Sequence, residues 1–246
     1  MPLPRPILIA HRGASARAPE GTASAIRAAL RAGAGMVELD VQLTRDGRLV
    51  IFHDAGLERT TDGTGAMTAK TFAALRRLDA GSWFHRRFRG ERILAVSEAL
   101  RLVPGRVWVN LELKRTRARE AILRRLRRAV GAHRGSGHVL ISSFDRTLLR
   151  PLSGGPLPIA LIAKRHADWS LNDAIRLGCT AWHPFHTLVS APRLRRAHAA
   201  GLRVHAWTVD EPALARRLLA SGVDGLFTND PERLHAVFAR ARRCCA

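Results

Sequence analysis

Residues 36–54, MVELDVQLTRDGRLVIFHD, decide the fold because they combine two strand patterns with the turn between them. Apolar and polar residues alternate over the first eight positions, which is typical of a half-buried strand. The pair Asp46-Gly47 follows, and such a pair between apolar runs favours a two-residue hairpin loop with positive φ at both residues. The run LVIFHD at 49–54 is therefore predicted to return antiparallel to the first strand.

A two-residue loop also predicts the register of this hairpin. It pairs Thr44 with Leu49 and places His53 directly opposite Asp40. Directly opposed residues share a face of the sheet, with Cβ atoms about 4.5–5.5 Å apart. Alternation puts Glu38 on the same face as Asp40. The hairpin alone thus predicts two carboxylates and an imidazole side by side.

Strand-like runs alternate with amphipathic helical patterns through the rest of the chain, which favours a βα repeat. Apart from the returning run of the hairpin, the strand-like runs are 7–10, 36–43, 107–113, 139–144, 158–163, 180–185, 203–209 and 224–229. A four-residue connection is too short for a parallel crossover, so LVIFHD is predicted to be an antiparallel flap on the second strand.

The repeat predicts an α/β fold, the (β/α)8 TIM barrel, formed by one domain over residues 1–246. A small insertion at 55–105 is expected between the flap and the third barrel strand. The alternative is a doubly wound sheet. The barrel is favoured because no glycine-rich dinucleotide loop follows the first strand.

Polar side chains gather at the C-terminal ends of the first three predicted barrel strands and of the flap: His11, Arg12, Glu38, Asp40, His53, Glu112 and Lys114. In a barrel these ends meet at one face, where active sites lie. Three inward carboxylates repel one another unless a cation neutralises them. Oxygen ligands without cysteine favour Mg²⁺ or Ca²⁺ over Zn²⁺.

Each of these residues, taken singly, also has a structural interpretation. An inward Glu in a barrel commonly pairs with a cation such as Arg12 or Lys114, and a lone His11 is commonly a hydrogen-bonded structural residue. Asn110 and Gln42 are assigned to structural hydrogen bonding. Only the combination of all the groups favours a catalytic site with a metal ion.

The formal charge of +21 raises the alternative of a nucleic-acid-binding protein. The basic runs RRLRR at 124–128 and RARR at 240–243 support it. However, nearly all of the charge is arginine, the only lysines being Lys70, Lys114 and Lys164, and such a bias is typical of a GC-rich coding sequence. The arginines alternate with apolar residues on amphipathic helices, which favours a solvated face and no specific nucleic acid partner.

Location is predicted from the cysteines and from the N-terminal sequence. Cys179 and the terminal pair Cys244-Cys245 form no disulfide framework. The apolar run at 7–10 is too short for a signal peptide or a membrane span. We expect a cytoplasmic protein without a membrane span, and the oligomeric state stays open.

Six segments resemble motifs of the glycerophosphodiester phosphodiesterases, in the order of that family and over nearly the full chain. They are HRGASARAPEGT at 11–22, VELDVQLTRDGRLVIFHD at 37–54, LERTTDGTG at 57–65, LDAGSWF at 78–84, LELK at 111–114 and AWTVDEP at 206–212. The resemblance implies a TIM-barrel enzyme that hydrolyses glycerophosphodiesters, such as glycerophosphocholine or glycerophosphoethanolamine, to sn-glycerol 3-phosphate and an alcohol.

The resemblance also implies roles for individual residues. It implies metal ligands at Glu38, Asp40 and Glu112, acid–base catalysts at His11 and His53, and substrate or phosphate contacts at Arg12, Lys114 and Trp207. Which histidine is the acid stays open, as does the choice between direct attack by water and a cyclic phosphate.

Two segments depart from the motifs of the family. The chain has Pro-Glu-Gly-Thr at 19–22 in place of Pro-Glu-Asn-Thr, and Ile-Leu-Ala-Val at 93–96 in place of Ile-Pro-Thr-Leu. The second departure lies in the insertion, so it concerns substrate selection. A lysophospholipase D-like enzyme, with the aromatic and basic segment 81–92 against a membrane, is therefore a further alternative.

Overall fold

The computed structural model describes residues 5–133 and 138–244, so Cys245 of the terminal pair lies outside the described residues. In this part of the chain, eight parallel strands form a closed barrel with helices between them, which confirms the predicted fold class. The strands are β1 (Ile7–Ala10), β2 (Met36–Leu43), β3 (Leu49–Ile51), β4 (Trp108–Leu113), β5 (Val139–Ser143), β6 (Ile159–Ala163), β7 (Ala181–Pro184), β8 (Arg203–Ala206) and β9 (Gly225–Thr228).

The helices are α1 (Ala23–Arg31), α2 (Phe72–Leu75), α3 (Val96–Leu102), α4 (Arg119–Gly131), α5 (Arg146–Leu149), α6 (Ala167–Arg176), α7 (Ala191–Ala199), α8 (Pro212–Ala220) and α9 (Pro231–Cys244). Apart from α2, which packs in the segment between the flap and α3, the helices cover the outside of the barrel. The strand order is β1-β9-β8-β7-β6-β5-β4-β2-β3, and the pairing of β1 with β2 closes the barrel.

Strand β2 is buried on both faces, so the half-buried strand predicted from its alternation is wrong. Val37, Leu39 and Val41 pack in the layer between the strands and the helices. Glu38 and Asp40 point the other way, into the barrel, and are also buried. Helices outside a closed barrel leave no solvent-exposed face for a strand, and the inner face here is polar because it belongs to the site.

The hairpin register differs from the prediction by one residue. Leu43 pairs with Leu49, and Val41 with Ile51, around a three-residue loop in which only Gly47 has positive φ, at 76°. The N–H of Phe52, and not of His53, donates to the Asp40 carbonyl at 2.9 Å. The predicted direct opposition of His53 and Asp40 is therefore wrong, although the antiparallel flap is confirmed.

Side-chain hydrogen bonds of Gln42 hold the chain beyond the flap. Its Nε2 donates to the carbonyl oxygens of Phe52, His53 and Asp54 at 2.9, 3.1 and 2.8 Å. This confirms the structural role predicted for Gln42. It also means that a side chain of β2, and not a ladder position of β3, sets where His53 lies.

The segment between the flap and α3 has a small apolar core of its own, formed by Val50, Phe52, Leu57, Met67, Leu75, Ala80 and Ile93. Two of these residues come from the flap, so the flap joins this core to the barrel. Asp79 accepts hydrogen bonds from the N–H groups of Gly81, Ser82 and Gly90 at 2.7–2.8 Å. These bonds lower the pKa of Asp79 to about 2, against the opposing effect of burial.

None of the helices in the described part of the chain has both the length and the apolar character that crossing a bilayer requires.

The loop geometry predicts that Gly47→Ala destabilises the protein. A Cβ at Gly47 would meet Arg125 Nη2 at 2.6 Å, and an alanine at φ 76° is strained. We expect a loss of about 1–3 kcal/mol in the free energy of unfolding, measured by chemical denaturation. Gly105→Ala is the control, because a Cβ there meets no atom within 4 Å. Equal stability of both variants would contradict the three-residue loop.

Candidate active site

Neighbouring parallel strands bring the predicted polar residues together at the C-terminal end of the barrel. In the register of β2 and β4, Glu38 is beside Asn110 and Asp40 is beside Glu112. Strand β1 pairs with the other edge of β2, so His11 and Arg12 follow at the same end. The carboxylates stand above an apolar barrel interior that includes Met36 and Trp108 from the same strand faces.

Glu38, Asp40 and Glu112 form one buried acidic cluster. Their carboxylate oxygens lie within 4.8 Å of one another, and the residues are only 2%, 3% and 8% exposed. The Oε1 atom of Glu38 is buried and has no hydrogen-bond partner among the described residues. Carboxylate oxygens are the donors that hard divalent cations prefer, so this cluster could hold a metal ion.

Two cations lie directly against the cluster. Lys114 Nζ donates to Asp40 Oδ1 at 3.0 Å and to Glu112 Oε1 at 2.7 Å. Arg12 Nε lies 3.2 Å from Asp40 Oδ2, and the backbone N–H of Arg12 donates to Glu38 Oε2 at 2.9 Å. Three carboxylates thus face two cationic side chains, which leaves one negative charge uncompensated.

The pKa values of the cluster reflect this imbalance. Burial and the nearby Asp40 raise the pKa of Glu112 to about 7. Burial, with repulsion from Asp40 and Glu112, raises the pKa of Glu38 well above its ordinary value. Burial also acts on Asp40, but Lys114 and Arg12 outweigh it and lower the pKa of that carboxyl. The three groups therefore do not all ionise near neutrality without further positive charge.

A hydrogen-bond chain from the end of β9 orients His11. Asn229 Nδ2 donates to Asp210 Oδ2 at 2.7 Å, and this bond sets the orientation of the amide. The Oδ1 of Asn229 therefore accepts from Nδ1–H of His11 at 2.8 Å, which leaves Nε2 of the ring as an acceptor. Burial and Arg12 lower the pKa of His11, against the opposing effect of the Asn229 bond, so the ring is neutral near pH 7.

A carboxylate orients His53. Its Nδ1 is hydrogen-bonded to Asp54, and Arg59 in turn binds Asp54 and makes a bidentate pair with Glu20 at 2.7 and 2.9 Å. The Arg59 bond lowers the pKa of Asp54 to about 2, against the effect of burial, so Asp54 stays ionised. The partner of His53 is thus an ionised carboxylate, whereas the partner of His11 is an amide.

One cavity of about 370 Å³ joins these groups. Both histidines, both predicted phosphate contacts and two of the three carboxylates line it, together with Trp207. Asp40 lies beneath, within the acidic cluster. The indole Nε1–H of Trp207 donates to the His183 carbonyl at 2.8 Å, which holds the ring in the cavity wall. The structure therefore brings together every site residue predicted from the sequence.

Residues 11–233 match the model of the glycerophosphoryl diester phosphodiesterase family. The chain belongs to this family. A glycerophosphodiester phosphodiesterase of Caldanaerobacter subterraneus subsp. tengcongensis is 35% identical over 93% of this chain and 96% of its own length. Another from Bacillus subtilis is 31% identical over 95% of this chain and 86% of its own length.

A solved structure gives the same result. An Oleispira antarctica phosphodiesterase, in complex with the product sn-glycerol-3-phosphate, superimposes with a TM-score of 0.90 at 30% identity, covering 96% of this chain and 97% of that protein. The expected enzyme family is thereby confirmed.

The family motif is altered at Gly21, where an asparagine was expected from the resemblance. Gly21 has φ 70° and its N–H donates to the Arg12 carbonyl at 3.0 Å. Glycine and asparagine are the residues that tolerate this left-handed conformation best, so the backbone of the loop is kept without the amide. Arg12 itself has φ 57°, and strain of this kind at a site is held by surrounding contacts, here Glu20, Glu38 and Asp40.

Sequence reasoning missed several residues of the cavity and its supports. Asn110 was assigned a structural hydrogen bond, but its buried amide has no partner among the described residues and lines the cavity. His183, Phe144 and Lys164 also line it, from strands that showed no motif. Asn229, which orients His11, was not singled out either. The available signal was position, since each of these residues lies in or directly after the C-terminal end of a predicted strand.

The placement of the two imidazoles predicts the effect of removing either one. Since they line one cavity beside the acidic cluster, His11→Ala or His53→Ala should lower turnover of a glycerophosphodiester by roughly 10²- to 10⁴-fold, as for loss of an acid–base group. His133→Ala, in the surface loop after α4, is the control. Measured turnover within about twofold of the parent for either cavity variant would exclude that histidine from the chemistry.

Proposed function

We propose that the protein hydrolyses glycerophosphodiesters, such as glycerophosphocholine or glycerophosphoethanolamine, to sn-glycerol 3-phosphate and an alcohol. The observation that carries this proposal is the single cavity in which two differently supported imidazoles face a buried carboxylate cluster with two cations. The product bound to the Oleispira antarctica relative supports the same reaction here. The substrate is a small molecule, and no nucleic acid is required.

Glu38, Asp40 and Glu112 would hold a divalent cation, Mg²⁺ or Ca²⁺. The fit rests on the donor set, which is all oxygen, on the uncompensated negative charge, and on the unpartnered Oε1 of Glu38. When bound, the cation would stabilise the charge that develops on the phosphoryl oxygens.

Arg12 and Lys114 would bind the phosphate. The ammonium of Lys114 has three N–H donors, of which the two carboxylates use two. The Nη1 of Arg12 is bound to Glu20 at 3.0 Å, which fixes the plane of the guanidinium beside the cavity. Cations held in place before the substrate arrives stabilise an anionic transition state without reorganisation. Trp207 would pack against the substrate from the opposite wall.

The two histidine rings have different hydrogen-bond partners, and this difference supports separate base and acid roles. Nε2 of neutral His11 has a free lone pair, so His11 would take the proton of the attacking hydroxyl. His53, whose Nδ1 is bound by the carboxylate of Asp54, would protonate the leaving alkoxide. General acid–base catalysis needs one group that takes a proton and one that gives it.

Metal dependence is tested with a chelator. Exhaustive chelation should abolish release of sn-glycerol 3-phosphate, and Mg²⁺ or Ca²⁺ should restore it. Glu112→Gln should lower activity by at least about 10²-fold because it removes one charged ligand, whereas Glu120→Gln on the exposed face of α4 should not change it. Full activity after chelation, or in Glu112→Gln, would remove the metal ion from the mechanism.

The state of His11 predicts the acid limb of the pH profile. The ring acts only when neutral, so at saturating metal kcat/KM should fall as the pH drops through a pKa that burial and Arg12 hold below 6.5. Because the Asn229 bond raises this pKa, Asn229→Ala should move the midpoint to still lower pH while also reducing turnover. Asn172→Ala, on outer helix α6, should leave the midpoint in place. A midpoint that rises in Asn229→Ala would contradict the assignment of His11 as base.

A further inference from the structure

The wall of the cavity opposite the acidic cluster carries a lysine, Lys164, that no motif explains. It directly follows Ala163, the last residue of β6, and lines the cavity with the predicted site residues. The residue is exposed, and its ammonium makes no hydrogen bond or ion pair with any residue in the ranges 5–133 and 138–244. Its counterpart Lys114, by contrast, is held by two carboxylates.

The identity of this residue is informative because lysine is rare in the chain. The 41 basic residues of the sequence include only three lysines, and two of the three, Lys114 and Lys164, line this cavity. Lysine thus occupies two positions of this cavity in a chain whose other basic residues, apart from Lys70, are all arginine. A compact ammonium on a flexible stem suits a point contact with a ligand, whereas arginine suits planar bidentate contacts.

Aromatic rings form much of this outer wall. Phe144 and Trp207 make an edge-to-face pair with centroids 5.6 Å apart, and Phe185 packs on Trp207 at 5.2 Å. Phe144 is 49% exposed, so this wall lies at the mouth of the cavity and can admit groups of different size. The floor is different, since His183 and Asn110 are fully buried there.

Charge separates the two sides of the cavity. Among the described lining residues, the carboxylates are Glu38 and Glu112, both in the acidic cluster. The other residues that line the outer side with Lys164, namely Phe144, Ile162, Trp207 and Thr208, are uncharged. An aromatic wall alone would favour a quaternary ammonium group through cation–π contacts. A free lysine ammonium in the same wall opposes such a group, and no carboxylate of that side offsets it.

We propose that this outer wall is the subsite for the alcohol half of the diester, and that Lys164 makes it select neutral hydroxyl-bearing or anionic alcohols over cationic ones. The inference rests on the proposed function, because it assigns the part of the diester that varies between substrates. Lys164 is then a specificity-determining residue, which contacts the alcohol and takes no part in proton transfer.

Selectivity is the decisive measurement. We compare kcat/KM for glycerophosphoglycerol, whose alcohol is neutral, with that for glycerophosphocholine, whose alcohol is a cation. At low salt the parent enzyme should prefer glycerophosphoglycerol by about five- to tenfold, the effect of one unit charge on another a few ångströms away in a solvated site. Screening should reduce the preference to about twofold at 1 M salt.

Variants of Lys164 should change this ratio in a defined order. Lys164→Met, which removes the charge and keeps most of the unbranched side chain, should bring the ratio to within about twofold of unity, chiefly through a lower KM for glycerophosphocholine. Lys164→Glu should invert the preference. Lys70→Met is the matched control, because Lys70 is exposed on the insertion and does not line the cavity, and it should keep the parent ratio.

The outcomes separate the inference from the proposed function. Turnover of both diesters with a ratio unchanged by Lys164→Met and Lys164→Glu overturns the inference alone. An equal loss on both diesters also overturns it, because Lys164 would then contact the common phosphate. No release of sn-glycerol 3-phosphate from either diester by the parent enzyme overturns the proposed function and the subsite together.

Discussion

The burial of three carboxylates at one end of the barrel is the constraint on which the rest of the site depends. Carboxylates that are buried together raise one another's pKa unless positive charge is supplied. Lys114 and Arg12 supply part of it, and both are held against Asp40. The parallel register of β2 and β4 makes this grouping unavoidable, since it sets Asp40 beside Glu112. A buried ion cluster of this kind adds little to stability, so its presence points to a role in binding.

The two histidines show how identical side chains acquire different behaviour. His11 faces an amide whose orientation is determined by Asp210, and burial keeps its ring neutral. His53 faces Asp54, whose charge Arg59 maintains. These supports come from the loops after β8, β9 and β3 and from the insertion. The barrel therefore positions the acidic cluster that we propose to hold the metal ion, and its loops orient the two imidazoles.

The residues that line the cavity also form two groups, according to the strands that supply them. Strands β1, β2 and β4 contribute the acidic cluster and its cations, whereas the ends of β5 to β8 contribute aromatic rings and Lys164. In the proposed function the first group would act on the phosphate, which all substrates share. The second group is the proposed subsite for the part of the substrate that differs. A closed barrel permits this separation because each strand end contributes side chains to one common face from a different direction.

The periodicity of apolar residues and the lengths of the connections were sufficient to predict most of the fold. Eight strand patterns predicted the barrel, and a connection too short for a crossover predicted the antiparallel flap. The spacing of Glu38, Asp40 and Glu112 along their strands placed them on inner faces, because alternation in a strand is a local property. The family motifs then indicated the residues that the structure brings into one cavity.

The tertiary structure decided those features for which local sequence rules allow more than one outcome. Asp46-Gly47 closes either a two-residue or a three-residue loop, and these differ in register by one residue. Contacts from outside the hairpin select the longer loop, since Arg45 N–H donates to the Lys70 carbonyl at 2.9 Å and Asp46 accepts from Phe72 N–H at 3.0 Å. The position of His53, set by Gln42, and the unpartnered state of Lys164 likewise depend on residues distant in the chain. Sequence alone determined which groups lie on which strands, and only the packing of distant segments determined what each group faces.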